Sequence, residues 1–363
     1  MAKCRVGLCA WNFWGDGTVD RPDNTDELVV SYFVNWLLDK GLCDRIYQLQ
    51  HMDKIAPVFN AEVAALRKKA CLSLVHIGPR DKMPDLDLIF CRWRWDLGAT
   101  NDPRLAAQRR MLDHYGNTRT RILIWDEDFK LSPDERESLT ATDNVTLIET
   151  SESAREGDSE GLVYVPHPIA LDDSGLDRVL GRPGNREGDH IDWMLRVAYV
   201  GNNYEREEYL TKYLRFAANM DPGTVHLYGN WMKYNTEILE RHPSMVFHTK
   251  VGRRMRDWIY QHAGTVPMLA KDVYFERGHI TPRLHEVVMA GGIPIGFHEF
   301  KGWKRYYNPE FVVRDSKEFG ILAAEVFLYD KEKRRQALKM QLEILHDNRV
   351  FDVDHFFECI GVD

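Results

Sequence analysis

Short apolar runs alternate with amphipathic stretches along nearly the whole chain. "KCRVGLC", residues 3–9, reads as a first strand, and after a loop rich in Gly, Asp, Pro and Asn comes "TDELVVSYFVNWLLDKG", residues 25–41. Thr25 suits an N-cap, Asp26 and Glu27 favour a first helical turn, and Gly41 suits the helix end. "DRIYQLQ", a helix at "APVFNAEVAALRKK", "LSLVHIG", "LDLIFCR", "PRLAAQRRMLDHYG", "RILIWDED", "NVTLIET" and "GLVYVPHPI" continue the alternation. Apolar strands of this length between helices predict βα units around a parallel sheet.

Between Leu171 and Asp192 the chain turns polar, with the Gly/Pro-containing stretch "LDDSGLDRVLGRPGNREGDHID", and a linker is expected there. The pattern then restarts with "LRVAYVGNN", "EREEYLTKYLRFAANM", "TVHLYGN", "MVFHTKV", "MRDWIYQHAG", "VPMLA", a helix around Arg283, "IPIGF" and "EFVVRD". The stretch from Lys317 to Phe351 reads as strongly helical. The expectation is α/β, with two doubly wound, Rossmann-like domains facing a cleft. Residues 1–170 are expected to form the N-terminal domain, 171–192 the linker and 193–345 the C-terminal domain. A last helix within 346–363 is expected to pack back on the first domain.

Composition changes this picture little. The chain has 363 residues, enough for two domains, with 44% hydrophobic and 29% charged residues. No apolar run reaches bilayer-spanning length, and "MAKCRVGLCAW" does not read as a signal peptide, so an intracellular protein is expected. The six cysteines are scattered without C-x-x-C spacing, which argues for reduced thiols and against a zinc site. A net charge of -8 argues against a polyanion partner unless a local basic patch exists. One does: from Arg92 to Arg121 there are seven Arg, three Asp and no Lys, a net +4.

Three strand ends in the second half carry candidate chemistry. "VAYVGNNYER" places Gly201 and Asn202 just after a strand and Arg206 at the next helix, where backbone amides and a guanidinium can meet a phosphate. The bland alternative is a tight turn and a surface arginine. "LYGNW" places Gly229 and Asn230 after another strand. "HITPRLHEVVMAGGIPIGF" puts Pro282 at a first helical position, then Arg283 to face a diphosphate and Glu286 to accept ribose hydroxyls. An intrahelical i,i+3 pair between Arg283 and Glu286 is the ordinary reading of that spacing. The trailing glycines would let backbone pack behind a ligand.

In that order, these segments resemble the donor site of glycosyltransferases with the GT-B fold, and within them the DNA β-glucosyltransferases of T-even bacteriophages. The likeness runs through most of the chain. "VAYVGNNYEREEYLTKYL" is similar to the donor-binding segment, with a turn two residues shorter and Tyr204 where another basic residue is expected. "MVFHTKVG" implies a backbone contact from Val251 to the uracil, and "HITPRLHEVVMAGGIPI" matches best. "RTRILIWDEDFKLS" resembles the segment holding the catalytic base and puts Asp128 on it, with Asp126 in reserve. A carboxylate beyond a strand end can take a proton from an acceptor hydroxyl, and crowding among Asp126, Glu127 and Asp128 can raise a pKa. Asp26 or Glu27 would meet the sugar hydroxyls or simply cap a helix.

"CRWRWD" opens the basic window, and in the family the acceptor-contacting loops fall in this region. Arg92 and Arg94 would hold phosphates and Trp93 or Trp95 would stack beside a flipped base, or else the tryptophans fill a core and the arginines pair with acids. The resemblance implies inverting transfer of a sugar from a UDP-sugar to hydroxymethylcytosine or hydroxymethyluracil in double-stranded DNA. It also implies the cytoplasm of a phage-infected bacterium. No cofactor is required beyond the donor substrate, Mg2+ or Mn2+ can assist, and a monomer without membrane attachment is expected. The alternatives are the same fold with a glycan or lipid-carrier acceptor, and a nucleotide-binding module without turnover.

Overall fold

A computed structural model describes residues 3–9, 25–49, 74–93, 103–158, 161–171, 194–231 and 237–362. The chain divides into two compact units, Met1–Ala170 with Asp352–Asp363, and Leu171–Phe351. Each is built on one parallel sheet. The helix expected at "APVFNAEVAALRKK" and the 171–192 linker, Leu171 apart, lie outside the described residues.

In the first unit, strands β1 (Val6–Cys9), β2 (Ile46–Leu49), β3 (Leu74–Ile77), β4 (Leu88–Arg92), β5 (Arg121–Trp125), β6 (Val145–Glu149) and β7 (Leu162–Tyr164) follow the order β3-β2-β1-β4-β5-β6-β7. The second unit carries β8 (Leu195–Val200), β9 (Val225–Tyr228), β10 (Val246–His248), β11 (Ala263–Pro267), β12 (Pro294–Phe297) and β13 (Val312–Val313) in the order β10-β9-β8-β11-β12-β13. Each sheet starts at a central strand, steps outward to one edge, then crosses back and grows the other way. The strand order therefore reverses beside β1 and β4, and beside β8 and β11, where open α/β sheets bind ligands. β1, β4, β11 and β12 are buried at every residue, which is why they read as unbroken apolar runs.

Helix α1 (Thr25–Asp39) ends as Gly41 turns left-handed at φ 69° and its N–H donates to Leu38 O at 3.2 Å. The last helix, which we label α8 (Val353–Cys359), belongs to the first unit. Its Phe357 stacks on Trp36 of α1 at 3.7 Å, and Trp36 Nε1 donates to Asp354 Oδ1 at 2.7 Å. The first unit also carries α2 (Pro103–Tyr115) and α3 (Pro133–Thr140).

The second unit contributes α4 (Arg253–His262), α5 (Arg283–Ala290), α6 (Ser316–Phe327) and α7 (Lys331–Asp347). The long C-terminal helical stretch is thus two helices, because Asp330 caps α7 by accepting from Lys333 N at 2.8 Å. The helix after β8 also departs from regular α geometry: Leu210–Leu214 form a π-helical turn where Tyr209 and Tyr213 stack at 2° between planes.

One buried cation fixes the helices behind the second sheet. Arg334 of α7 is 1% exposed, and its Nη2 donates to Gln261 O at 2.7 Å and Gly291 O at 2.6 Å. Those carbonyls lie at the C-terminal ends of α4 and α5, where a helix dipole favours positive charge. Burial draws the guanidinium's pKa down to about 9, so it still holds its proton at neutral pH. Arg334→Ala strands both carbonyls and opens a cavity, and should cost about 2–4 kcal/mol. Urea unfolding of the variant at pH 7 checks this; an unchanged midpoint would show that the clamp contributes nothing.

Candidate functional site

The loops beyond β8 and β9 meet backbone to backbone. A β-carbon on Gly229, whose φ is +147°, would stand 2.2 Å from Gly201 O, so only glycine fits there. Gly201 N donates to Tyr228 O at 2.8 Å, and Asn230 N donates to the Asn202 side-chain oxygen at 3.0 Å. Arg206, 5% exposed, donates from Nη1 to Asn202 O at 3.0 Å. Arg283 arrives from the first turn of α5. Its guanidinium lies 4.9 Å from the Tyr199 ring centroid and donates to Leu269 O at 3.3 Å, beyond β11. A β-carbon on Gly201 would lie 2.8 Å from Arg283 Nη2 and 2.7 Å from Tyr199 Oη. Gly201, Asn202, Arg206, Gly229, Asn230 and Arg283 therefore share one site at the point where the strand order reverses.

Glu286 lies one turn further along α5. Its carboxylate does not close the i,i+3 pair with Arg283 that the spacing suggests; Arg256 of α4 meets it at 2.9 Å instead. Val251 is half-buried immediately before Gly252, the N-cap of α4. The glycines after α5 each have a packing reason of their own. Gly291 is the left-handed C-cap at φ 88°, a Gly292 β-carbon would press on Tyr260 O at 3.1 Å, and one on Gly296 would strike the Tyr307 ring at 2.6 Å.

In the first unit, the acidic triplet beyond β5 separates into three roles. Asp126 is buried and accepts from Lys130 N at 2.7 Å, Leu131 N at 2.9 Å and Arg136 Nη2 at 3.3 Å, closing the turn in which Phe129 takes φ 54°. Burial raises its pKa above the usual carboxylate value, against the pull of those donors. Burial rather than crowding by its neighbours is the main cause. Glu127 is buried in an ion pair with Arg92. Asp128 remains half-buried at the turn.

That pair corrects the acceptor assignment of Arg92 and Trp93. Arg92 is 2% exposed, paired with Glu127 and packed over the Trp125 ring at 5.0 Å, while Trp93 is 0% exposed within the core cluster. β4 is a central strand covered on both faces, so the Arg92 and Trp93 side chains turn inward rather than toward a nucleic acid. Arg94 and Trp95 lie outside the described residues. Asp26 and Glu27 fall in the first turn of α1, and their side chains lie outside the described residues as well.

No protein-family model matches the chain, and no curated protein does. Solved structures do match over its whole length. The DNA-modifying enzyme β-glucosyltransferase, solved with and without uridine diphosphoglucose, superposes with a TM-score of 0.63 at 16% identity, covering 98% of this chain and 99% of that one. An α-glucosyltransferase bound to UDP and a 13-mer DNA gives 0.62 at 8% identity, with 98% of each chain covered. A glycosyltransferase of avilamycin A biosynthesis gives 0.54 at 14% identity, covering 99% and 98%. The fold is GT-B.

Within this GT-B chain, two residues at the strand ends escaped the sequence reading. Tyr199 supplies the aromatic face under Arg283, and Arg256 supplies the cation against Glu286. Tyr199 is the penultimate residue of a buried strand and carries no visible signal. Arg256 had one, since it lies in a basic cluster just after Val251, but its partner is 30 residues away. The close approaches of the GT-B loops can be tested by adding single methyl groups. Gly201→Ala should push Arg283 or Tyr199 aside and Gly229→Ala strains the backbone, and each should cost about 1–3 kcal/mol of stability. Thermal unfolding of the two variants checks this; wild-type midpoints in both would refute the packing argument.

Proposed function

We propose that the chain is a glycosyltransferase that moves a sugar from a UDP-type donor to a hydroxymethylated base in DNA. The observation that carries this reading is the pair of guanidiniums at the β8 and β11 ends. Arg206 and Arg283 rest on backbone carbonyls, and neither meets a carboxylate among the described residues. A desolvated cation without a counter-ion costs several kcal/mol, and a diphosphate supplies that counter-ion. Gly201 and Gly229 let backbone approach the phosphates, Asn202 and Asn230 hold the two loops together, Glu286 accepts the ribose hydroxyls and the Val251 backbone faces the base. Asp26 or Glu27 would bind the sugar.

Asp128 is the proposed general base, on its register in the segment that resembles the one holding the family's catalytic base and on its greater exposure than Asp126 and Glu127. It takes the acceptor hydroxyl's proton as that oxygen bonds to the anomeric carbon and the bond to the UDP oxygen breaks, which inverts the centre. Arg206, Arg283 and the amides at the start of α5 stabilise the departing diphosphate. Support for a DNA acceptor comes from the two DNA glucosyltransferases among the structural neighbours. A glycan, lipid-carrier or other small acceptor is the second reading. It is favoured by the burial of Arg92 and Trp93 and by the likeness to the antibiotic-pathway enzyme.

Asp128→Asn should lower transfer roughly 10²–10⁴-fold while leaving UDP affinity nearly intact. Glu286→Ala should weaken UDP binding by about 1.5–3 kcal/mol, the range for hydrogen bonds to a charged group. The deciding assay offers a panel of UDP-sugars against duplex DNA carrying hydroxymethylcytosine or hydroxymethyluracil. Transfer supports the DNA reading. UDP binding without any DNA transfer would leave the small-acceptor reading, and failure to bind UDP would end both.

A further inference from the structure

Beside the donor loops, on one face of the second sheet, two imidazoles point at each other. His226 of β9 and His248 of β10 are diagonal neighbours, since His226 is in register with Val246 and Tyr228 with His248. Paired residues of parallel strands share a face, so both rings project to the same side. Their rings lie 12° apart in plane with centroids 5.2 Å apart, and His226 Nδ1 is 2.9 Å from His248 Nε2. The Tyr228 ring stacks on His248 at 4.1 Å and holds it in place. Both histidines are half-buried, so solvent ions reach them.

The 2.9 Å contact is a hydrogen bond in which one ring nitrogen donates its proton to the other, and a metal ion would take the place of that shared proton. Two imidazole nitrogens bound about 2.0–2.1 Å from a tetrahedral ion stand about 3.3 Å apart, so the pair must open by a few tenths of an ångström and both rings must swing off the line that now joins them. Burial lowers the pKa of both rings, which keeps them neutral and able to ligate at pH 7.

We propose that His226 and His248 form a two-imidazole site for a borderline divalent transition-metal ion such as Ni2+, Cu2+ or Zn2+, with water completing the coordination. Imidazole selects these ions over Mg2+ and Mn2+, so the site is chemically separate from any hard cation held by phosphates. Among the described residues no cluster of three or more His, Cys, Asp or Glu exists to compete for the ion. The bound ion would tie β10, a three-residue edge strand, to β9, and the chain beyond these strands carries Val251 and Gly229.

The test titrates the reduced full-length protein with Ni2+ by calorimetry and repeats its thermal unfolding with and without the ion. One ion per chain at this site is expected, with a rise in Tm because the ion binds the native pair. His226→Gln and His248→Gln should each weaken binding at least tenfold and abolish the rise. His355→Gln, a histidine outside the pair, should leave both unchanged, and Mg2+ should have no effect. The electron paramagnetic resonance spectrum of one equivalent of Cu2+ should show two coupled nitrogens in the wild type and one in each variant. Wild-type Ni2+ affinity in both pair variants, or a Cu2+ spectrum unaltered by them, would overturn the proposal.

Discussion

The second unit turns on a contact that leaves no room for a side chain. Gly229 sits so close to Gly201 O that a β-carbon would lie 2.2 Å away, and at φ +147° few other residues adopt that backbone. Because the two loops touch, the Asn202 side chain reaches Asn230 N and its carbonyl remains available to Arg206. The same approach leaves a hollow on the other side of Gly201 that Arg283 and Tyr199 occupy. Three segments distant in sequence are thereby brought to the point where the strand order reverses. The position follows from topology, since neighbouring strands that lead away in opposite directions leave their ends uncovered.

Charge is distributed around this frame by a simple rule: buried arginines are satisfied, in most cases, by groups far away in sequence. Arg92 has Glu127, Arg256 has Glu286, and Arg334 has two helix-end carbonyls. Arg206 and Arg283 differ, because they meet backbone carbonyls and, for Arg283, an aromatic face, and neither forms an ion pair with a carboxylate among the described residues. A cation held in this way keeps its charge for something else. The contrast within one chain is more informative than either arginine alone, because it shows that carboxylates were available to cations elsewhere in the fold.

The fold was largely legible because parallel strands covered on both faces must be apolar at nearly every position, and "VGLC", "LIFCR" and "RILIW" show this directly. Where local signals conflict with tertiary packing, the reading slipped. "VPMLA" suggested a strand over residues 266–270, yet β11 begins at Ala263, immediately after α4 ends. The π-helical turn at Leu210–Leu214 does not show in the sequence, since a single wider turn leaves the apolar pattern of the helix nearly unaltered. The error at "CRWRW" has the same origin. Counting charges in a window assumes that neighbours in sequence face the same solvent, whereas Arg92 is neutralised by Glu127, 35 residues away. The glycine-marked strand ends were easier to see, because a missing side chain is a local property even when the contact that requires it is not.

The acidic turn shows how far a motif can narrow a role and where geometry must finish the work. Three consecutive acids follow β5, and by residue type each is equally fit to accept a proton. Asp126 is taken by two backbone amides and Arg136, and Glu127 by Arg92. Both commitments are structural: one closes the Phe129 turn and the other neutralises a cation in the core. They also stabilise the turn that carries Asp128. A carboxylate on a turn that its neighbours hold sits on a fixed backbone, which is what a base needs if it is to receive a proton from a substrate. The triplet is therefore one half-buried acid beside two buried ones that hold the turn and the core, a difference in environment that residue type alone does not show.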